Sequence, residues 1–189
     1  MFKILPEEAY RRTTWKNGRG VTEDVLMLPE GASHDDFDVR ISRASIVDPA
    51  PFSAFPGIDR AITRLGENPL VLCFADGSEA ALEHLAPYRF DSALTPTSRL
   101  SAGHTQVLNV MTRRGRWRNE VTAIRGNAKQ TLEGTGRGFV LVYAMGAGCT
   151  VAGHHVGPGQ ALIMQPGVHA EMEVLSGGAC LIAVIEPED

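Results

Sequence analysis

The apolar residues of this 189-residue chain come in short runs that stop at glycine or proline, and that habit restricts its fold more than any other feature. AITRL from Ala61, PLVLCF from Pro69, VLNVM from Val107, GFVLVY from Gly138, ALIM from Ala161 and ACLIAVI from Ala179 are all strand-length. They are rich in Val, Ile, Leu and Phe. Turn signals separate them: GENP from Gly66, DGS from Asp76, GAG from Gly146, GPG from Gly157 and SGG from Ser176. No segment keeps helical periodicity for three turns, and none approaches the roughly 20 apolar residues that span a bilayer. The chain therefore reads as all-β, a sandwich or a barrel.

The length suits one domain with a sizeable core, or two small lobes. Near RGNAKQ, from Arg125, the chain changes character: residues 131–189 are glycine-rich and carry few charges until the terminal EPED. We expect an N-terminal lobe over 1–125 and a C-terminal lobe over 126–189, a duplicated barrel packed as one compact unit in which strands can be exchanged. A net charge of -4 and a pI near 5.9 give no bulk field for nucleic acid. The basic run Arg113, Arg114, Arg116 and Arg118 reads as a solvated strand end. Cys73, Cys149 and Cys180 lie in or beside apolar runs without CxxC spacing, so they read as small hydrophobes, not a disulfide framework. With no signal peptide or spanning segment, a cytoplasmic protein with no membrane partner is expected.

GHHVGPGQALIMQPGVH, from Gly153 to His169, resembles the second motif of cupin barrels. Many cupins hold a metal through three histidines and a glutamate, but here His154 and His155 are adjacent and would point to opposite faces of a strand. His169 lacks a matched partner, and His34, His84 and His104 have no second histidine nearby. No metal and no other cofactor is expected. There is no GxSxG elbow, and GRG from Gly18 and GTG from Gly134 lack the context of a phosphate loop.

Polar residues inside strands are more telling. Period-2 alternation in FDVRIS puts Asp38, Arg40 and Ser42 on one face; in LNVMTR it groups Asn109, Met111 and Arg113. In FPGIDRAITR, Arg60 and Arg64 share a face with Ile62. Such faces either look at water or line the inside of a barrel, and alternation alone does not choose. Lined inward, guanidinium groups would grip carboxylates and asparagine would read an amide or imidazole edge. That pocket selects a small anionic, nitrogen-bearing metabolite.

Four ordered blocks, WKNGRGVTE from Trp15, FDVRISRA from Phe37, PFSAFPGIDR from Pro51 and LNVMTRRG from Leu108, together resemble the HutD/Ves family. The resemblance implies a bicupin: a double-stranded β-helix (RmlC-like) fold of two cupin-like β-barrel lobes, with no demonstrated catalytic metal. It further implies a regulatory role in histidine utilisation through binding of formiminoglutamate, formylglutamate or urocanate. The family usually reads WKNGGG, and this chain carries Arg19 at the middle glycine. If that position needs a positive φ, arginine there costs about 1 kcal/mol or more.

On this reading Lys16, Arg40 and Arg60 meet carboxylates, Asn17 and Asn109 orient the ligand beside Ser42, Trp15 and Met111 form apolar walls, and Asp59 fixes an arginine. The protein is then more a binder than an enzyme. The alternative is a metal-independent cupin isomerase or hydrolase acting on a related small acid, with Glu23 or His169 as its acid/base. A third reading is a module that inhibits a pathway protein. Exposed strand edges would also allow a homodimer.

Overall fold

The computed structural model describes residues 1–15 and 20–188. Its strands, in chain order, begin with β1 (Phe2–Leu5), β2 (Arg11–Thr14), β3 (Gly20–Leu28), β4 (Val39–Ile46) and β5 (Ile58–Arg64). Next come β6 (Leu70–Cys73), β7 (Glu79–Leu82), β8 (Pro87–Asp91), β9 (Thr97–Leu100) and β10 (Thr105–Arg113). The rest are β11 (Trp117–Arg125), β12 (Lys129–Glu133), β13 (Phe139–Gly146), β14 (Cys149–Val151), β15 (His154–Val156), β16 (Ala161–Met164), β17 (His169–Val174) and β18 (Gly178–Pro187). Two single-turn 3₁₀ helices, Glu7–Ala9 and Ser92–Leu94, are the helical elements among the described residues. The all-β expectation holds. None of the described helices is long and apolar enough to cross a membrane.

The chain forms two compact units, and their boundary differs from the expected seam. One unit is continuous, Arg11–Trp117; the other joins Met1–Tyr10 to Arg118–Asp189. The break falls eight residues before the expected seam, and the first ten residues belong with the C-terminal half. The reason is pairing: β1 runs antiparallel to β16, with Phe2 opposite Met164 and Leu5 opposite Ala161. The Tyr10 hydroxyl then donates to the Gly159 carbonyl at 2.8 Å.

In the discontinuous unit a five-stranded sheet, β1-β16-β13-β18-β11, and a four-stranded sheet, β12-β17-β14-β15, share a core of aliphatic side chains with Met164, Met172, Cys149 and Cys180. Alternation on β17 is regular: Ala170, Met172 and Val174 are buried while His169, Glu171 and Glu173 are exposed. The continuous unit has a six-stranded sheet, β2-β3-β4-β10-β5-β8, and a three-stranded sheet, β7-β6-β9. Its core holds Ala44, Ile46, Ile62, Leu70, Leu72, Leu82 and Val107. Ala44 and Ile46 continue the face that begins with Arg40 and Ser42, so that face is the barrel interior. Arg40 and Ser42 are buried, which removes the water-facing alternative.

Candidate functional site

Strand register builds the site. Met27 of β3, Arg40 of β4, Met111 of β10, Arg60 of β5 and Phe90 of β8 lie directly opposite one another in one row across the sheet. Asp24, Ser42, Asn109 and Ile62 form the next row. At about 5 Å per strand the Arg40 and Arg60 backbones sit roughly 10 Å apart, with Met111 between them. A bulge between Asp24 and Leu26 lets both Asp24 and Met27 face inward although three positions separate them.

These rows border a cavity of about 550 Å³ that lies within the continuous unit. Trp15, Arg40, Ser42, Arg60, Asn109 and Met111 all line it, as expected from the sequence. The Trp15 indole Nε1 donates to Thr22 Oγ1 at 2.8 Å, which fixes that wall. Lys16, Asn17 and Arg19 lie outside the described residues.

The two arginines are held differently. Arg40 Nε donates to Asp24 Oδ1 at 2.7 Å, a buried ion pair whose second carboxylate oxygen, Oδ2, lies 3.1 Å from His34 Nε2. Arg60 meets no carboxylate among the described residues. Its Nη2 donates to Ser92 Oγ (2.6 Å) and to the Ser53 carbonyl (3.2 Å), while its buried Nε has no partner. The guanidinium carbon lies 5.4 to 5.5 Å from the ring centres of Phe52, Phe55 and Phe90. Quadrupole attraction to three rings offsets part of the lost hydration. Burial, and then the neighbouring Arg40 charge, bring Arg60 down to about 9, still a cation at neutral pH. Asn109 Oδ1 is a second buried atom without a partner. The cavity thus offers an uncompensated cation and an unused acceptor.

Asp59 requires correction. It is not part of the cavity: it sits on the opposite face of β5, where its Oδ1 accepts from Arg114 Nη2 at 2.6 Å. Adjacent strand residues point to opposite faces, so placing both Asp59 and Arg60 in one pocket ran against the pleat. Asp59 does fix an arginine, but an exposed one. Arg64 shares the face of Arg60 yet is structural, donating to the carbonyls of Leu82, Gly66, Glu67 and Asn68. Arg113 turns away at the end of β10 to bond the Phe37 carbonyl and Asp38 Oδ1. The basic run is partnered throughout: Arg114 also meets Asp91, Arg116 meets Asp38 and Arg118 meets Glu186.

Neither proposed acid/base group reaches the cavity. Glu23 pairs with Arg43 on the other face of the sheet, and His169 is exposed on β17 opposite Glu133, in the discontinuous unit. The sequence reading missed His34, Asp24, Phe52 and Phe55. Both phenylalanines stand in the PFSAFPGIDR block, which was the available signal; His34 had none. Among the described residues no three of His, Cys, Asp and Glu gather about a common point. Among the described residues that line the cavity His34 is the donor of that kind, and its neighbour Asp24 is committed to Arg40, so these residues do not fit the metal set common in cupins.

Comparison with known proteins adds the relationship. Protein Ves of Citrobacter koseri is 34% identical over 108 residues, 57% of this chain and 56% of that protein. Protein Ves of Escherichia fergusonii is 32% identical over 100 residues, 52% and 51% respectively. The chain thus spans about half the length of the curated relatives it matches. Among solved structures, HutD from Pseudomonas fluorescens SBW25, described as a formate condition, superposes with a TM-score of 0.85 at 22% identity and full coverage of both chains. A cupin 2 conserved barrel protein from Leptotrichia buccalis gives 0.55 at 11% identity over 92% of each chain, in keeping with a cupin-like fold. The HutD family model matches residues 7–182, and the chain belongs to the HutD family.

Proposed function

We propose that the continuous unit binds a small carboxylate that also carries an N–H group, and that the protein moderates histidine utilisation in the cytoplasm by holding such an intermediate. Formiminoglutamate, formylglutamate and urocanate fit this description. The observation that carries the reading is Arg60: a buried guanidinium, set among three phenyl rings, with no carboxylate partner among the described residues. A carboxylate delivered to it would restore the charge balance that burial removed. Asn109 Oδ1 stands ready to accept an N–H from the same ligand. Family membership supports the pathway, and the cupin-like barrel supports a binding interior.

Isothermal titration of the protein with urocanate, formiminoglutamate, formylglutamate and glutamate, with and without added metal, tests this. At least one of the first three is expected to bind without turnover. The Arg60→Ala variant should lose about 2–5 kcal/mol of that affinity, the cost of removing one partner of a buried charge pair. Binding that survives Arg60→Ala sinks the assignment. Turnover of the bound acid would instead favour the alternative of a metal-independent isomerase or hydrolase, for which His34 is the imidazole that lines the cavity.

A further inference from the structure

We propose that Cys149 and Cys180 form a redox-modification site, at which a hydroperoxide oxidises the pair to a reversible disulfide that ties together the two sheets of the discontinuous unit. The inference is independent of the acid-binding reading, because neither cysteine borders the cavity. Cys149 lies on β14, opposite Val156 and Val174 in the four-stranded sheet. Cys180 lies on β18, opposite Ala144 in the five-stranded sheet. Both side chains turn into the core that the two sheets share, and both are free thiols. Across that core the two thiols are hydrogen-bonded to each other.

Two glycine turns bring the strands this close. Ala147 donates its N–H to the Gly177 carbonyl at 3.2 Å, and Leu175 donates to the Gly148 carbonyl at 3.1 Å. A Cβ on Gly178 would fall 2.3 Å from the Gly148 carbonyl oxygen, so the approach requires glycine there. Cys149 directly follows Gly148, and Cys180 stands two positions after Gly178, so the sulfurs meet just beneath the turns. Ala147 and Gly177 are exposed, which gives a small oxidant a short path that a bulky thiol reagent lacks.

The hydrogen bond with Cys180 draws the Cys149 thiol down against the opposing effect of burial, and the same bond, together with burial, pushes Cys180 up. Cys149 is thus the sulfur that ionises and attacks. Its thiolate takes one oxygen of the peroxide, the O–O bond breaks, and the other oxygen leaves as water, giving a sulfenic acid. The Cys180 sulfur then displaces that oxygen, which departs as a second water with the Cys180 proton. Two thiols are oxidised by two electrons and one peroxide is reduced. Closure brings the sulfurs from hydrogen-bond contact to about 2.05 Å.

The test uses the full chain carrying Cys73→Ser, exposed to hydrogen peroxide, quenched in acid, denatured, alkylated and mapped without reductant. The expected product is a monomer about 2 Da lighter with the Cys149 and Cys180 peptides joined, and dithiothreitol restores both thiols. The bond closes a loop of about 30 residues, so the melting temperature should rise by about 5 °C or more. In the same background Cys180→Ser keeps an O–H donor for Cys149 and should leave a sulfenic acid there that dimedone traps. Cys149→Ser should give several-fold less adduct on Cys180. Thermal melts confirm that each variant folds; should either fail to, the peptide map of the chain with both cysteines decides alone. Recovery of Cys149 and Cys180 as free thiols, at a dose that oxidises Cys73 of the wild-type chain, overturns the proposal. So does a disulfide that joins two chains. An unchanged melting temperature overturns the tie between the sheets, and equal adducts on the two cysteines overturn the order of attack.

Discussion

Arg40 and Arg60 share a row and a cavity, yet truncation should affect them in opposite ways. Removing Arg40 leaves Asp24 buried without its cation, so Arg40→Ala should destabilise the protein by about 3–5 kcal/mol. Arg60 is the reverse case: replaced by methionine of similar length, it relieves an unmatched buried charge. In the absence of ligand, Arg60→Met is expected to match or exceed the wild-type melting temperature while binding fails. Differential scanning calorimetry on the two variants tests both statements. Arg60 is therefore the cleaner probe of binding. Asp59→Ala should leave ligand affinity unchanged and cost under about 1 kcal/mol, as expected of an exposed pair. The cysteines separate by the same logic of burial. Cys149 and Cys180 are buried, and the hydrogen bond with the neighbouring Cys149 sulfur, together with burial, pushes the Cys180 thiol up. Cys73 is partly exposed, with Arg99 Nη1 at 3.4 Å. A thiol reagent should label one cysteine of the native protein quickly, and Cys73→Ser should abolish that signal.

At the scale of elements, period-2 reasoning put Arg40 and Ser42 of β4, Arg60 of β5, and Asn109 and Met111 of β10 on the inward face because those strands pair without interruption, and Asp59 was misplaced where the pleat was not followed. Whether a polar face turns inward is a tertiary fact, and only the burial of Arg40, Ser42, Arg60 and Asn109 decides it. Asp24 and His34 were illegible for other reasons. The bulge in β3 resets the alternation after Asp24, and His34 lies in a connection that has no period at all. Gly20 shows how tightly the Trp15 wall is fitted. A Cβ there would fall 2.8 Å from the indole ring and 2.7 Å from the Ser45 carbonyl. Gly20→Ala is expected to push Trp15 off Thr22, red-shift its fluorescence and weaken ligand binding more than it lowers the melting temperature.

For the whole molecule, the strand-rich composition and the turn signals were enough for the fold class, and the four blocks were enough for the family. The unit boundary was not legible, because a composition change at residue 126 says nothing about which sheet β1 will join. That choice depends on Phe2, Lys3, Ile4 and Leu5 meeting β16, roughly 160 residues further on. The same pairing orders events during synthesis. Translation at about 5–20 residues per second leaves β1 without its neighbour for some 8–30 seconds after it is made. All of Arg11–Trp117, with its cavity, is made within that interval. The nascent chain can thus form the barrel that holds the cavity first, while its opening strand waits, unpaired, for the segment that completes the other sheet.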